Sequence, residues 1–123
     1  MVNYIDDKVG RVFAALADPT RRAMLAQLAL GETTVSDLAA PYNMSLPAAS
    51  KHISGLESAG LVKKRKTGRV VHCSFVPTRL KEAMEWMSRY ERFWTERLDA
   101  LDEYLESKNK GDSNNGDQSN SNE

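Results

Sequence analysis

The side chains in this chain with the means to do chemistry are basic and hydroxyl groups gathered into one stretch. Residues 44–80 read MSLPAASKHISGLESAGLVKKRKTGRVVHCSFVPTRL, with seven basic residues (Lys51, Lys63, Lys64, Arg65, Lys66, Arg69, Arg79) against one acid, Glu57. The whole chain of 123 residues holds 17 basic and 17 acidic residues, so the segments on either side are net acidic. Positive charge concentrated in one segment of a neutral protein presents a strong field to a polyanion without making copies of the chain repel everywhere. Backbone phosphates need that field, and base edges need short donors that can approach closely. Lys63–Lys66 taken alone fits a solvated hairpin face equally well; its place directly behind a helix pair favours nucleic acid.

Catalysis finds no support. The chain has two histidines, His52 and His72, and one cysteine, Cys73. No Ser/His/acid set, phosphate-cradling loop or paired catalytic carboxylates accompany them. A single cysteine excludes an internal disulfide and suits a reducing compartment. Cys73 alternates with Val71 and Phe75, which favours a buried, inert thiol over a redox sensor. His72 faces away from Cys73 on a strand, so the two do not share a metal. His52 sits at the edge of an apolar stripe, where packing or a phosphate contact suits it better than acid–base work. No cofactor and no metal are expected.

The elements that position the basic segment follow from periodicity. Ile5, Val9, Val12, Phe13 and Leu16 share one helical face. Asp18-Pro19 ends that helix and starts the next, with Asp18 as cap and Pro19 where no N–H is needed. Met24, Leu25 and Leu28 line the second helix, which Gly31 stops. Thr34 opens a short third helix with Asp37 three residues on, a variant capping box. Val35, Leu38 and Ala39 face inward there, and Pro41 and Asn43 break it. Ser45 caps a fourth helix that Gly60 closes.

With 100° per residue and Ala49, Ile53 and Leu56 as the buried stripe, Pro47, Lys51, Ser54 and Ser58 point outward. Ala48, Ser50 and Gly55 lie on the flanks. That outer face has no large apolar group and one charge, so it can lie close against a base edge. The third and fourth helices make a helix-turn-helix pair. Two strands follow, Val62–Lys66 and Val70–Val76, around Thr67-Gly68-Arg69. This hairpin is a basic wing.

A last helix from about Thr78 to Glu106 spans roughly 40 Å. It carries one apolar row of Leu80, Met84, Met87, Trp94, Leu98, Leu101 and Leu105 and another of Trp86, Tyr90, Phe93 and Tyr104. So wide a stripe exceeds what one neighbour in a small domain covers. With the first helix it is expected to form a dimer interface, through Val9, Phe13, Met87, Tyr90, Trp94, Leu98, Leu101 and Leu105. The Trp86, Phe93 and Trp94 cluster could instead line an effector pocket; dimer packing is the simpler reading. The acids at 99–106 read as a solvated helix face. Residues 107–123, SKNKGDSNNGDQSNSNE, contain no apolar side chain and read as a disordered polar tail. The domain is therefore 1–106.

LADPTRRAMLAQL (16–28), TVSDLA (34–39), SLPAASKHISGLESAGLV (45–62) and KRKTGRVVHCSF (64–75) together resemble the ArsR family of bacterial winged-helix repressors. The resemblance implies a mainly α fold with a small β-hairpin, a winged helix-turn-helix of four helices, two strands and a fifth helix, dimerising through the first and last helices. It also implies a homodimer on a palindromic operator in double-stranded DNA, blocking transcription until a signal releases it; a small-molecule effector, a protein effector and a redox change all stay open. Metal-sensing members carry cysteines on the third helix where this chain has Thr34 and Ser36, which offer no thiolate. Other members bind zinc with His and acids on the last helix; here Asp99, Asp102, Glu103 and Glu106 have no histidine beside them. The aromatic-rich last helix looks more like the non-metal-sensing branch.

On this reading Pro47, Ala48, Ser50 and Lys51 meet the major groove at the start of the fourth helix, with His52 and Ser54 beside them. Ser45 and the helix N-terminus hold a phosphate. Lys63, Arg65 and Lys66 track the backbone, and Arg69 at the wing tip enters the minor groove. Arg21 and Arg22 serve structural pairing or peripheral phosphate contacts. The competing class is a winged-helix protein-interaction module acting through the long last helix. No apolar run approaches a membrane span, and MVNYIDDKVG has acids where a secretory signal needs bases, so a cytoplasmic protein is expected.

Overall fold

The structure is a computed structural model that describes residues 7–116. Helix α1 (Lys8–Ala15) begins at Asp7, whose carboxylate accepts the Gly10 N–H at 2.7 Å. Ile5 lies outside the described residues. Helix α2 (Pro19–Ala29) has the expected start: the Asp18 carboxylate accepts the amides of Thr20 at 2.7 Å and Arg21 at 3.3 Å, and Pro19 fills the first helical position.

The Thr34 hydroxyl caps α3 (Val35–Ala39), accepting the Asp37 N–H at 3.2 Å. A 3₁₀ turn (Ala40–Tyr42) ends at Asn43, which takes a left-handed φ of 52°. Ser45 then caps α4 (Leu46–Ser58) by accepting the Ala48 N–H at 3.2 Å. Gly60, at φ 80°, turns the chain out of α4 and into the sheet.

The sheet differs from expectation by one strand. β1 (Thr33–Thr34) joins β2 (Val62–Thr67) and β3 (Val70–Phe75) in the order β1-β3-β2, all antiparallel. Two residues are too few to show a period-2 pattern, so the sequence offered only a hairpin. Thr67 pairs with Val70, which leaves Gly68 and Arg69 as a two-residue loop with Gly68 at φ 61°. A glycine with positive φ at the first loop position suits the right-handed twist of the strands.

The core is the predicted one. Ala49, Ile53 and Leu56 of α4 are fully buried with Met24 and Leu28 of α2, Leu38 of α3, Leu61 and Cys73. Val12 and Ala15 of α1 and Ala83 of α5 (Thr78–Gly116) close it, with Val9, Val71, Phe75 and Leu80 partly buried against it. Removing this much apolar surface from water is what holds short helices such as α3, too short to persist alone.

The chain divides into two compact units after Trp86. The first contains the helix-turn-helix, the sheet and the opening turns of α5, where Trp86 meets the Phe13 ring of α1 edge-on, with centroids 5.9 Å apart. In the second, the α5 residues Met87, Tyr90, Phe93, Trp94, Leu98, Leu101, Tyr104 and Leu105 are all exposed. Trp94 stands edge-on to Tyr90 and Phe93, and the Arg97 guanidinium lies 4.6 Å over the Phe93 ring.

The helix continues to Gly116, past the boundary expected at Glu106. Once nucleated, a helix adds a hydrogen bond for each residue fixed, and polar residues cost only fractions of a kcal/mol each. The end of the proposed tail, 117–123, lies outside the described residues.

Burial alone would raise the Asp18 carboxyl, but the amides of Thr20 and Arg21, with His52 and Arg21 nearby, outweigh it and hold Asp18 below its ordinary value. A depressed carboxyl stabilises the fold above the unfolded-chain pKa, about 3.9, and that stability is lost as pH falls through the lower folded value. Asp18→Ala should therefore lower the thermal midpoint at neutral pH. The gap from wild type should close in a melting series taken below about pH 4.

Candidate nucleic-acid interface

Of the outward set read from the sequence, Pro47, Lys51 and Ser58 are exposed and Ser54 is partly buried; Ser50, expected on a flank, is exposed. Ala48 is partly exposed at the first turn. Pro47 falls in the opening turn, where its missing N–H breaks no helical bond. The first two turns of α4 thus place small side chains and one cation, Lys51, among its exposed residues.

The wing is bound to this helix through Lys64. Cys73 pairs with Lys64 across the ladder, so both project toward α4. Lys64 Nζ reaches the Ser54 hydroxyl at 3.3 Å and the Glu57 carboxylate at 3.2 Å. Lys64, which was not among the expected contacts, is therefore the strut between wing and helix, and Ser54 is engaged by it. At the wing tip, Arg69 and Ser50 line one cavity of about 370 Å³ together with Thr34, Ser36, Leu46 and Val70. Helix and wing tip thereby border a common recess.

Arg65 is the basic residue whose setting the sequence could not show. Its guanidinium donates to Glu32 at 2.7 Å and to the Thr67 hydroxyl at 3.0 Å. His72, opposite Arg65 on the ladder, places Nδ1 3.6 Å from the same carboxylate. Glu32 lies more than thirty positions away in the chain, and only the pairing of β1 with β3 brings it there. Lys63, Lys66 and Arg69 are exposed along the rest of the wing.

His52 is partly buried and turns Nδ1 toward Asp18, 3.7 Å away. At that distance Nδ1 makes no hydrogen bond with the carboxylate and is left buried without a hydrogen-bond partner among the described residues. Two outcomes of the expected dimer set also differ. Val9 packs against its own core, whereas Phe13 remains over a third exposed beside Trp86.

Comparison with known proteins gives this geometry its context. A family profile described as a helix-turn-helix domain matches residues 16–65, which run from the end of α1 into the wing. The transcriptional repressor SdpR of Bacillus subtilis is 33% identical over 82 residues, 67% of this chain and 91% of its own. A solved ArsR-family transcriptional regulator superposes with a TM-score of 0.69 at 39% identity, covering 77% of this chain and 97% of its own. The chain belongs to the ArsR family of winged helix-turn-helix transcriptional regulators. It is a DNA-binding regulator and not an enzyme.

A homodimeric winged helix-turn-helix domain from Mycobacterium bovis, described as a possible ArsR-family regulator, is also similar, at 30% identity and a TM-score of 0.54 over 76% of this chain and 84% of its own. Other relatives are named for cadmium and arsenical resistance, so kinship by itself does not divide the metal-responsive ArsR proteins from the rest. Among the described residues no helix is long and apolar enough to cross a membrane.

Cys73 sits at zero exposure beneath this ArsR wing. Burial pushes its thiol above the ordinary range; Lys64 opposes that, and Glu57 and Glu32 add to it. The thiolate is the reactive form. Native protein at neutral pH should resist a thiol reagent and react at the unfolding rate, becoming fully labelled only in denaturant. Rapid stoichiometric labelling of folded protein would contradict a buried structural thiol.

Proposed function

We propose that this ArsR-family regulator is a homodimeric repressor that binds an imperfect palindromic operator and is released from it by a signal other than a transition metal. The observation that carries the reading is one surface shared by the small, hydroxyl-rich face of α4 and the basic wing, with Ser50 and Arg69 around one cavity. Lys51 donates to guanine O6/N7, Ser50 pairs with a neighbouring base, and Pro47 or Ala48 touches a thymine methyl. Ser45, with its oxygen already taken by Ala48 N–H, keeps a hydroxyl proton for a phosphate. Lys63, Lys66 and Arg69 run along the backbone. Arg65 joins them if it leaves Glu32, and an exposed ion pair of this kind costs little to exchange, about 0–1 kcal/mol.

Dimerisation is supported by the exposed row on α5, from Met87 through Tyr90, Trp94, Leu98 and Leu101 to Leu105, with Phe13 on α1. A second copy covers such a stripe at no cost in buried charge, and two reading heads then meet half-sites about 34 Å apart. The similar M. bovis domain is homodimeric. Against a metal signal stand Thr34 and Ser36, hard hydroxyls where a soft-metal site needs thiolates. The absence of a histidine beside the α5 acids points the same way. The single buried cysteine suits the cytoplasm.

Operator affinity should fall with salt along a log–log slope of about −5 to −7, reflecting about 6–8 phosphate contacts per dimer. Titrations at several ionic strengths check this; a flat slope would exclude an electrostatic wing. Lys51→Ala should cost about 1–3 kcal/mol in discrimination between operator and random fragments. Equal weakening on both would reduce Lys51 to a phosphate contact. Trp94→Glu should shift sedimentation toward the monomer and abolish operator binding. A variant that stays dimeric would move the interface elsewhere and leave the interaction-module reading of α5 in force.

A further inference from the structure

A second basic recess lies on the other flank of α4. It is a cavity of about 320 Å³ between α1, α2 and α4, whose polar lining is Arg11, Arg21 and Ser58. The rest of the wall is Ala14, Ala15, Gly55 and Ala59, so small groups floor it, and no carboxylate is among the described residues that line it. We propose that this recess is a seat for a DNA backbone phosphate, with Arg11 and Arg21 as its cationic walls. The proposal rests on the operator reading above and extends the footprint beyond the first turn of α4 and the wing.

Three features converge on it. Ser58 follows Lys51 and Ser54 at helical spacing, so the recess borders the same outward face of α4 that the operator reading turns toward DNA. The Arg21 guanidinium is held in place before any ligand arrives. A Cβ at position 55 would meet Arg21 Cζ at 2.9 Å and Nε at 3.0 Å, so the guanidinium lies directly on the helix backbone at Gly55. A cation immobilised in this way loses little further freedom on binding. Finally, Arg21 Nε is buried with no hydrogen-bond partner among the described residues, so this N–H of the guanidinium is left unpaired by its surroundings. Asp18 does act on Arg21, but its carboxylate is occupied by the amides of Thr20 and Arg21.

The choice of occupant follows from the wall. A cavity near 300 Å³ is at the lower limit for small-molecule sites, which are lined mostly by large apolar and aromatic groups. This one offers alanines, a glycine, a serine and two arginines. Those are the groups that hold a phosphate without reading a base. The contact would therefore add affinity and register, and no sequence preference. It also joins Arg11, which the sequence did not connect with DNA, to Arg21, whose role the sequence left between structure and phosphate.

The test uses the full chain, a labelled operator fragment and a random fragment, each titrated at several salt concentrations. Arg21→Ala and Arg11→Ala should each weaken both fragments by the same factor, about 10- to 100-fold per dimer for Arg21. The salt slope should become shallower by about 2, one phosphate lost per protomer. Gly55→Ala guards against misfolding, since alanine favours a helix interior. It deletes no charge, yet the new methyl displaces the guanidinium, and it too should weaken both fragments while circular dichroism stays native.

Unchanged affinity and slope in folded Arg11→Ala and Gly55→Ala, with wild type binding normally, would overturn the seat and leave the operator reading intact. Wild type that binds neither fragment would overturn both. A third arm adds inorganic phosphate. If it raises the melting temperature of wild type and not of Gly55→Ala, while DNA affinity is the same in both, the recess serves a free anion and the proposal fails.

Discussion

Complete burial of one stripe of α4 is the constraint on which the other features depend. Ala49, Ile53 and Leu56 have no exposure, and they meet side chains from α2, α3 and the strands. Helical geometry converts that burial into a fixed roll angle. Lys51 and Ser50 face outward because the opposite stripe has nowhere else to go. Ser45 at one end and Gly60 at the other set where the helix begins and stops, which fixes its axial position as the stripe fixes its rotation. A base-reading helix needs both, since a rotation of one residue would carry Lys51 off the outward face.

Around that helix, charge is placed by pairing as much as by sequence. The wing contains a run of four basic residues, and strand alternation sends them to two faces. Lys64 is drawn to α4 by Ser54 and Glu57, and Arg65 is drawn to Glu32. Each pair is partly exposed and contributes little to stability. Its value is positional: one fastens the wing to the helix, and the other holds a guanidinium beside the sheet. Lys51, Lys63, Lys66 and Arg69 remain exposed on this part of the surface.

The remaining surface is divided by chemistry in a way that suits a regulator. Charge and hydroxyls occupy the α4 and wing side of the first unit, while rings and leucines occupy the exposed row of α5. The thiol at the centre of the sheet takes no part in either. Burial keeps Cys73 protonated, and it fills space between α4 and the strands.

Local signals determined most of the architecture: Asp18-Pro19, Thr34, Ser45, Gly60 and Gly68 each act through a hydrogen bond or a backbone angle within a few residues, so their effects are readable from the chain in order. The buried stripes of α2, α3 and α4 are likewise short-range patterns of period 3.6, and the core they predict is the core observed. Two kinds of contact waited for the tertiary structure. The two-residue strand β1 exists only because β3 supplies its partner. Glu32 meets Arg65, and Arg21 meets Gly55, across separations in the chain that no spacing rule spans. The helix beyond Glu106 reflects propagation from an established helix rather than any apolar pattern. Local hydrogen bonds and periodicity depend on neighbours in sequence; ion pairs, added strands and recesses depend on which distant residues the folded core sets side by side.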